Sequence, residues 1–312
     1  DVEKKDGYRE LDQRIKGQVY GQDQAVDAIV ENILVSKAGL REKNKPVGSY
    51  LFVGPTGTGK TETARALANH MDAKLVKFDM SEYQERHSVA KLIGAPPGYV
   101  GHAEGKMGQG QLLAEVEQSP NCVLLLDEVE KAAPEVLQVL LQVMDDGRLT
   151  GATGNVVDFT NVVLLMTSNL GAAAAEEKKI GFGDQTKKGE QNKAVNKFFT
   201  PEFRNRLDAV IEFNKLSEEL MLLIVDRLVK DTNALLEENE SNVVIELSEG
   251  ARKQLAEDGY EPTMGARPLK RVFENKIKKP LSKKILFENL SDTTITVLFD
   301  GEEYDFTHTT LH

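Results

Sequence analysis

One stretch of the sequence has the residue types and spacing of a phosphate-binding loop. Residues 54–61 read Gly-Pro-Thr-Gly-Thr-Gly-Lys-Thr and match the pattern G-x-x-x-x-G-K-[ST] in full. Glycines let backbone N–H groups wrap around phosphate oxygens, and the following helix adds its dipole. Lys60 is expected to pair with the β- and γ-phosphates of ATP, and the Thr61 hydroxyl to ligate Mg²⁺. The residues predicted to line the nucleotide are Gly57, Thr58, Gly59, Lys60 and Thr61.

Two acids that could complete this chemistry follow a buried apolar run. Val123-Leu124-Leu125-Leu126 leads directly into Asp127 and Glu128. Acids at the end of a strand are usually solvated, but beside a phosphate-binding loop they acquire a function. Asp127 is predicted to join the Mg²⁺ shell, and Glu128 to polarise the water that attacks the γ-phosphate. Glu130 and Lys131 are interpreted as charges at the start of a helix.

A third run, Val162 to Met166, ends in Thr167-Ser168-Asn169. An Asn just beyond a buried strand is often only a turn former. In the sheet of a nucleotide hydrolase the same position can orient the attacking water. We favour this second interpretation of Asn169.

Short apolar runs alternating with helical patterns indicate how these residues are positioned. Runs this rich in Val, Leu, Ile and Phe are typical of strands buried on both faces of a parallel sheet. The pattern predicts a doubly wound α/β domain, interrupted by a Gly-rich and Pro-containing loop at 94–110 and a surface insertion at 172–193. The predicted strands are 50–53, 75–78, 123–126, 162–166 and 210–213.

The pattern changes after Asn214, where helical periodicity predominates. Ser217 is predicted to cap the first helix of this part. We predict a large nucleotide-binding domain over residues 1–214, followed by a small, mainly α-helical lid domain with a minor β-sheet over 215–312. Its further helices are predicted at 249–258 and 268–287, and its strands at 243–247 and 294–299.

Composition narrows the possible partners and compartment. The 39 Lys and Arg against 50 Asp and Glu give a net charge of −11, which disfavours nucleic acid or anionic lipid as a partner. The single cysteine, Cys122, fits a reducing compartment, and no apolar run approaches the ~20 residues that span a bilayer. We therefore expect a cytoplasmic protein without a membrane partner. Because the sequence lacks an initiator Met, we expect it to be part of a longer protein.

Several motifs together carry a family resemblance. They are residues 54–61, 93–101 (Ile-Gly-Ala-Pro-Pro-Gly-Tyr-Val-Gly), 123–128, 167–169, 201–208 (Pro-Glu-Phe-Arg-Asn-Arg-Leu-Asp) and 265–268 (Gly-Ala-Arg-Pro). The set resembles the Clp branch of the AAA+ ATPases over almost the whole chain. Within that branch the sequence is most similar to the second ATPase domain of ClpA-type unfoldases, which feed the ClpP peptidase.

The resemblance implies a homo-hexamer with each nucleotide held at a subunit boundary. Arg206 matches the family's arginine finger, which reaches the neighbouring subunit's γ-phosphate, and Arg204 could instead form a salt bridge between subunits. Arg267 matches the second sensor of the bound phosphate. Val19 and Tyr20 match the segment that packs on adenine. Without the resemblance, each arginine would be interpreted as part of a surface ion pair worth ~0–1 kcal/mol.

The resemblance also implies roles for two loop segments. Tyr99 and Val100 match the pore loop that grips an extended polypeptide, although an aromatic on a flexible loop is usually a packing anchor. Thr150 to Asn155 could form a second pore segment. Ile180-Gly181-Phe182 resembles the tripeptide with which protease-associated Clp ATPases dock on ClpP. The alternative is a local contact of this tripeptide with the ring.

The expected function is therefore ATP-driven unfolding and translocation of unfolded or tagged polypeptides through a hexameric pore into a ClpP-type peptidase. One alternative is a Clp disaggregase that works without a protease, which the tripeptide at 180–182 disfavours. Another is a nucleic-acid-dependent motor, since helicases and clamp loaders share the phosphate loop and the arginine finger. The charge of −11 argues against that motor, and the lysines near residue 280 are flanked by Glu274 and Glu288.

Overall fold

The computed structural model describes residues 7–95, 109–172, 193–261 and 265–310. The chain divides into two compact units. The first comprises Asp1–Pro55 and Gly59–Asn214, and the second comprises Lys215–His312 together with Thr56–Thr58. None of the helices in the described ranges is long and apolar enough to cross a membrane.

The first unit is built on a parallel sheet. Its strands are β1 (Gly48–Val53), β2 (Leu75–Asp79), β3 (Val123–Asp127), β4 (Arg148–Thr150), β5 (Val156–Asp158), β6 (Val163–Ser168) and β7 (Ala209–Glu212). Five of them pair in the order β2-β3-β6-β1-β7, and every pairing is parallel. The predicted doubly wound α/β class is confirmed.

Helices cover both faces of this sheet. They are α1 (Leu11–Gln18), α2 (Asp23–Lys37), α3 (Lys60–His70), α4 (Val89–Ile93), α5 (Gln111–Gln118), α6 (Pro134–Asp146) and α7 (Pro201–Arg206), with 3₁₀ turns at Met80–Tyr83, Arg86–Ser88 and Val129–Lys131. Side chains of β1 alternate between two cores. Leu51 and Val53 pack on the face covered by α5 and α6, whereas Tyr50 and Phe52 pack on the face covered by α2 and α3. Burial on both faces explains why the central strands are continuously apolar.

The strands β4 and β5 form a separate antiparallel hairpin that the sequence analysis did not predict as strands. Its turn coincides with the segment 150–155 that was considered as a second pore loop, and Gly151 N donates to Asn155 O at 2.7 Å. Each strand has only three residues. An apolar alternation that short gives almost no periodicity signal.

The second unit is mainly helical, as predicted. Its elements are α8 (Glu218–Glu238), β8 (Val243–Leu247), α9 (Glu249–Asp258), α10 (Leu269–Phe273), a π-helical turn (Glu274–Lys278), α11 (Lys279–Phe287), β9 (Thr293–Phe299) and β10 (Tyr304–Thr310). Ser217 Oγ accepts a hydrogen bond from Leu220 N at 3.1 Å, so the predicted cap is confirmed. A proline in the first turn of α11 follows the π turn that interrupts the predicted helix at 268–287.

The minor sheet of this unit has the order β10-β9-β8, with β8 and β9 parallel and β9 and β10 antiparallel. The edge strand β10 was missed because its sequence, Tyr-Asp-Phe-Thr-His-Thr-Thr, is mostly polar and its side chains are largely exposed. An exposed edge strand lacks the apolar run on which strand prediction depends.

Candidate functional site

The carboxyl ends of three neighbouring strands meet at one edge of the parallel sheet. The phosphate-binding loop follows β1, Asp127 ends β3 with Glu128 directly after it, and Asn169 follows β6. The loop is joined to β6 by a hydrogen bond from Gly54 N to Ser168 O at 3.2 Å. In open α/β sheets this edge is where ligands bind.

The conformation of the loop requires its glycines. Gly57 and Gly59 have φ of 80° and 100°, a region that side chains rarely adopt. A Cβ on Gly54 would lie 2.1 Å from the carbonyl oxygen of Phe213, which follows β7. Sequence and packing therefore both require Gly at the start of the loop.

The start of helix α3 fits a phosphate group. The helix begins at Lys60 with Gly59 as its N-cap, and no side chain of the described residues caps it. First-turn N–H groups have no acceptor within their own helix, so an anion can bind there. Thr63 Oγ1 donates to Gly59 O at 2.7 Å, and the first-turn N–H groups suit an external acceptor. A nucleotide phosphate is an acceptor of this kind.

Lys60 is a buried ammonium at the centre of the site. Its side chain is held by Gly54 O, by Ser168 O at 3.3 Å and by Asn169 Oδ1 at 2.6 Å. Burial lowers the pKa of Lys60 to about 8, and the negative charges of Glu130, Asp127 and Glu128 partly oppose that shift. The protein thus places a desolvated positive charge where the loop would hold phosphate.

Asp127 is held by two side chains. Thr167 Oγ1 donates to Asp127 Oδ1 at 2.9 Å, and Lys77 Nζ lies 3.1 Å from Asp127 Oδ2. Within the described residues no group of three or more His, Cys, Asp or Glu could hold a metal ion. A metal bound by one or two protein oxygens plus phosphate oxygens is typical of Mg²⁺ with a nucleotide. Asp127 and the hydroxyl of Thr61 are the donors that would fit it.

Glu128 has a strained backbone at the end of β3. Its φ is 58° and its ψ 52°, a left-handed conformation that costs a non-glycine residue ~1–3 kcal/mol. The Glu128 N–H donates to Thr167 Oγ1 at 3.1 Å, which secures this conformation. Lys131 Nζ lies 3.1 and 3.2 Å from the two carboxylate oxygens of Glu128. The turn therefore directs the Glu128 side chain away from the strand axis, within reach of Lys131.

Glu130 and Lys131, interpreted from the sequence as charges at a helix start, also contact predicted residues of this site. They lie on the 3₁₀ turn Val129–Lys131, and the next helix, α6, begins only at Pro134. Glu130 Oε1 accepts a hydrogen bond from Asn169 N at 3.3 Å. No residue pattern signals these contacts, because they depend on the tight turn that follows β3.

Val19 lies beside the phosphate-binding loop, although it is far from the loop in sequence. A Cβ on Gly59 would lie 3.8 Å from Val19 Cγ1 and 3.9 Å from Gln22 Cγ. Val19 is buried at the end of α1, and Tyr20 after it is half-buried. Gln22 Nε2 donates to Asn214 O at 3.4 Å, a contact that sequence reasoning missed. An apolar group next to the loop is where a nucleotide base could pack.

The two arginines of α7 have partners within the first unit. Arg206 lies 3.4 Å from Asp145 and 3.2 Å from Glu202. Arg204 donates to Phe199 O at 3.2 Å and to Asn196 Oδ1 at 3.0 Å.

The end of α7 is fixed to strand β1. Asp208 accepts a bidentate pair of hydrogen bonds from Arg41, at 2.8 and 2.9 Å, and a third from Ser49 N at 2.7 Å. Because β1 leads into the phosphate-binding loop, Arg206 is carried on a helix that is anchored to the same strand.

The remaining predicted site residues belong to other segments of the chain. Arg267 is exposed in the second unit. The proposed pore residues Tyr99 and Val100, and the proposed docking tripeptide Ile180, Gly181 and Phe182, lie outside the described residues.

Two models of known protein families match this chain, and each matches a different part of it. Residues 45–210 match the family model described as AAA domain (Cdc48 subfamily). Residues 216–298 match the C-terminal, D2-small domain of ClpB protein. The first match includes most of the parallel sheet, and the second includes the second unit as far as β9.

Individual relatives include both ClpA and ClpB proteins. The chain is 52% identical to a ClpA homolog protein of Fuscovulum blasticum, over 91% of this chain and 35% of the relative. It is 44% identical to the chaperone protein ClpB of Staphylococcus epidermidis, over 92% of this chain and 33% of the relative. The chain thus spans about a third of the length of these relatives, which do not single out the ClpA branch.

A solved structure shares the same fold. It is a closed-state cryo-EM reconstruction of Hsp104 with ATPγS and FITC-casein, with a TM-score of 0.72 and 35% sequence identity. The match covers 98% of this chain and 52% of that chain.

Proposed function

Because the chain belongs to the Clp/Hsp100 family of AAA+ ATPases, we propose that it is a motor module that hydrolyses ATP to unfold and move polypeptide. The observation that carries the proposal is the convergence of Lys60, Glu128 and Asn169 at one edge of the parallel sheet. Lys60 and Asn169 are in direct contact, and the Glu128 turn is tied to β6 through Thr167. These are the cation, the base and the orienting amide that phosphoryl transfer to water needs.

The chemistry proposed for the site is the in-line attack of water on the γ-phosphorus of ATP. Glu128 accepts a proton from the water as its oxygen bonds to phosphorus, and the bond from phosphorus to the β–γ bridging oxygen breaks to leave ADP and phosphate. Lys60 offsets negative charge on the phosphoryl oxygens, and the Asn169 amide orients the water. Mg²⁺, held by Thr61 and Asp127, would neutralise charge on the β- and γ-phosphates.

The variant Glu128→Gln tests this assignment. We expect it to keep the ATP dissociation constant within about threefold and to lower turnover at least about a hundredfold, because a general base is worth 10²–10⁴ in rate. Isothermal titration and a phosphate-release assay measure the two quantities. Glu82→Gln is the matched control, since Glu82 is an exposed acid on the neighbouring 3₁₀ turn Met80–Tyr83. Unchanged turnover in Glu128→Gln would remove Glu128 from the mechanism.

The coupling of hydrolysis to polypeptide movement is proposed from the family and the sequence. Assembly into a homo-hexamer would give Tyr99 and Val100 access to an axial polypeptide, with Arg206 completing a neighbouring subunit's site and Arg267 sensing its own nucleotide. The similar Hsp104 structure with ATPγS and FITC-casein supports a protein substrate. Val19 and Tyr20 are proposed to contact adenine, which the position of Val19 beside Gly59 supports.

Two functions remain distinct within this proposal. Delivery of polypeptide to a ClpP-type peptidase is supported by the tripeptide Ile180-Gly181-Phe182 and by the similarity to a ClpA homolog protein. Protease-independent disaggregation is supported by the ClpB and Hsp104 relatives. We favour delivery to a peptidase because of the tripeptide.

One assay with two readouts separates these functions. Unfolding of a tagged fluorescent protein is measured alone, and its degradation is measured with ClpP present. Tyr99→Ala is expected to abolish both readouts while ATP hydrolysis continues, because the aromatic grip on the polypeptide is lost. Deletion of residues 180–182 is expected to abolish degradation and leave unfolding intact.

The contrary results are equally specific. Normal unfolding by Tyr99→Ala would exclude Tyr99 from the grip. If the intact chain unfolds substrate but ClpP never degrades it, the disaggregase function is the correct one.

A further inference from the structure

The proposed reaction gives no role to Glu130, yet this acid lies in the candidate site with an unusual environment. One of its carboxylate oxygens, Oε1, accepts from the backbone N–H of Asn169 at 3.3 Å. The other, Oε2, is buried and has no hydrogen-bond partner among the described residues. Leaving a buried charged oxygen without a partner is costly, so a carboxylate at this position requires a compensating benefit.

The charged groups around Glu130 indicate which residues it acts on. Asp127 is paired with Lys77, and Glu128 is paired with Lys131. Of the three carboxylates that favour the charged form of Lys60, Glu130 has the largest effect. Glu130 is therefore coupled to the phosphate-binding lysine electrostatically and to Asn169 by a hydrogen bond.

The hydrogen bonds of Lys60 show why Asn169 needs an anchor. An ammonium group has three hydrogens, and those of Lys60 are directed at Gly54 O, Ser168 O and Asn169 Oδ1. A phosphate oxygen that binds Lys60 must displace one of these acceptors. The first two are backbone carbonyls within the loop and strand β6, whereas Asn169 Oδ1 belongs to a side chain that can rotate.

We infer that Glu130 is a positioning residue that anchors the backbone of Asn169. Meanwhile the Asn169 side chain leaves Lys60 and contacts the attacking water. The inference rests on the proposed function. The Asn169 amide lies just beyond the end of β6, where no ladder partner continues the sheet. The bond to Glu130 replaces that partner and holds Asn169 against the turn that carries Glu128.

A double-mutant cycle tests this role. The variants are Glu130→Ala, Asn169→Ala and the combination of both, with kcat, KM and the ATP dissociation constant measured for each. We expect Glu130→Ala to lower kcat about tenfold, the value of one hydrogen bond to a charged group, with the dissociation constant within about threefold. In the Asn169→Ala background the same change is expected to lower kcat less than twofold, because Glu130 acts through Asn169.

The conservative variants provide a readout that a merely structural role would not change. Glu130→Gln keeps an oxygen that can accept from Asn169 N, so its kcat is expected to stay within about threefold of the wild type. Glu130→Asp keeps the charge but shortens the side chain, and its kcat is expected to fall as in Glu130→Ala. If Glu130→Ala does not fold, Glu130→Asp takes its place in the test. Glu135→Gln is the control, since Glu135 pairs with Arg86.

Three results would overturn the inference: an unchanged kcat in Glu130→Ala, additive losses in the double variant, or a loss in Glu130→Gln as large as in Glu130→Ala. Glu128→Gln, measured alongside, separates this inference from the proposed function. If Glu128→Gln stops turnover and Glu130→Ala does not slow it, only the role of Glu130 fails. If Glu128→Gln turns over at an unchanged rate, the proposed chemistry of the site fails, whatever the result for Glu130→Ala.

Discussion

At the scale of single residues, Lys60 combines burial with a function that needs its charge. Its exposed fraction is 8%, and its pKa is lowered to about 8 mainly by desolvation. The unfolded chain holds the proton up to pH ~10.4, so between these two pH values the unfolded state binds more protons than the folded state. This residue therefore adds to folding stability as pH rises from about 8 to 10.4, while its ability to bind phosphate is lost.

As pH rises above about 8, folding stability and ATP binding are therefore expected to change in opposite directions. The ATP dissociation constant is expected to rise by up to about tenfold per pH unit above the Lys60 pKa of about 8, because binding must then take up a proton. Calorimetry from pH 7.5 to 9.5, in two buffers of different ionisation enthalpy, measures both the affinity and the proton uptake. Lys60→Arg is the control, since a guanidinium stays charged and any binding it retains should not vary with pH. A pH-independent affinity in the wild-type protein would contradict the prediction.

The sequence placed the candidate site residues at one edge of the sheet for a physical reason. Asp127, Glu128 and Asn169 each follow an apolar strand, and the carboxyl ends of parallel strands share one edge. Glu130 and Thr167 escaped prediction because their roles depend on a three-residue turn and on one hydroxyl within a strand. Their contacts at 3.3 Å and 2.9 Å follow from local backbone geometry that no residue pattern encodes.

At the scale of elements, the junction between β1 and the phosphate-binding loop has no room for a side chain. Gly54 N and Gly54 O take part in the contacts to Ser168 and Lys60, and a Cβ would meet the carbonyl oxygen of Phe213 at 2.1 Å. Strand β7 therefore packs directly on the loop through its following residue. These contacts fix the first residue of the loop to the sheet.

Gly54→Ala is expected to lower the free energy of unfolding of the first unit by roughly 2 kcal/mol, because neither backbone can move without breaking strand pairs. Urea denaturation followed by circular dichroism measures the loss. Gly154→Ala is the matched control, since its φ is +87° but no atom lies within 4 Å of a Cβ there. The control should cost only the backbone strain, about 1 kcal/mol. Equal losses in both variants would show that the contact with Phe213 is unimportant.

Elements were predictable where burial produces a clear periodicity. The five parallel strands and the capped helices α8 and α9 are of this kind. The hairpin β4–β5 is not, because each strand has only three residues, and the edge strand β10 is not, because its side chains are mostly polar and exposed. The interruption of the last helix follows from a single proline, Pro280, whose effect on hydrogen bonding extends one turn backwards.

At the scale of the whole molecule, the proposed hexamer requires Arg206 to leave its present partners. It pairs with Asp145 and Glu202 on its own chain, and its helix is anchored to β1 through Arg41 and Asp208. Partly exposed ion pairs of this kind are worth ~0–1 kcal/mol, so a neighbouring γ-phosphate can compete for the guanidinium. The anchor would keep the helix in position while the side chain changes partner.

Mixing two inactive variants tests whether a site is shared between subunits. Arg206→Ala lacks the finger, and Lys60→Ala lacks the phosphate-binding cation, so each is expected to be inactive alone. In a mixed ring, a site with intact Lys60 beside a subunit with intact Arg206 is complete, and we expect part of the ATPase activity to return. Size-exclusion chromatography with ATPγS verifies assembly. Assembled mixtures that stay inactive would exclude a finger supplied in trans.

The strand order of the large sheet has a consequence for the synthesis of the protein. The strand β1 is fully buried in the folded unit, yet its two neighbours are β6 and β7, which are made much later. At a synthesis rate of ≈ 5–20 residues per second, Ser168 is added on the order of ten seconds after β1. Until then the six apolar or small residues of β1 have no partner strand. During that interval an unpaired, aggregation-prone strand is open to other chains. A protein proposed to act on the unfolded chains of others must itself pass through such a state each time it is made.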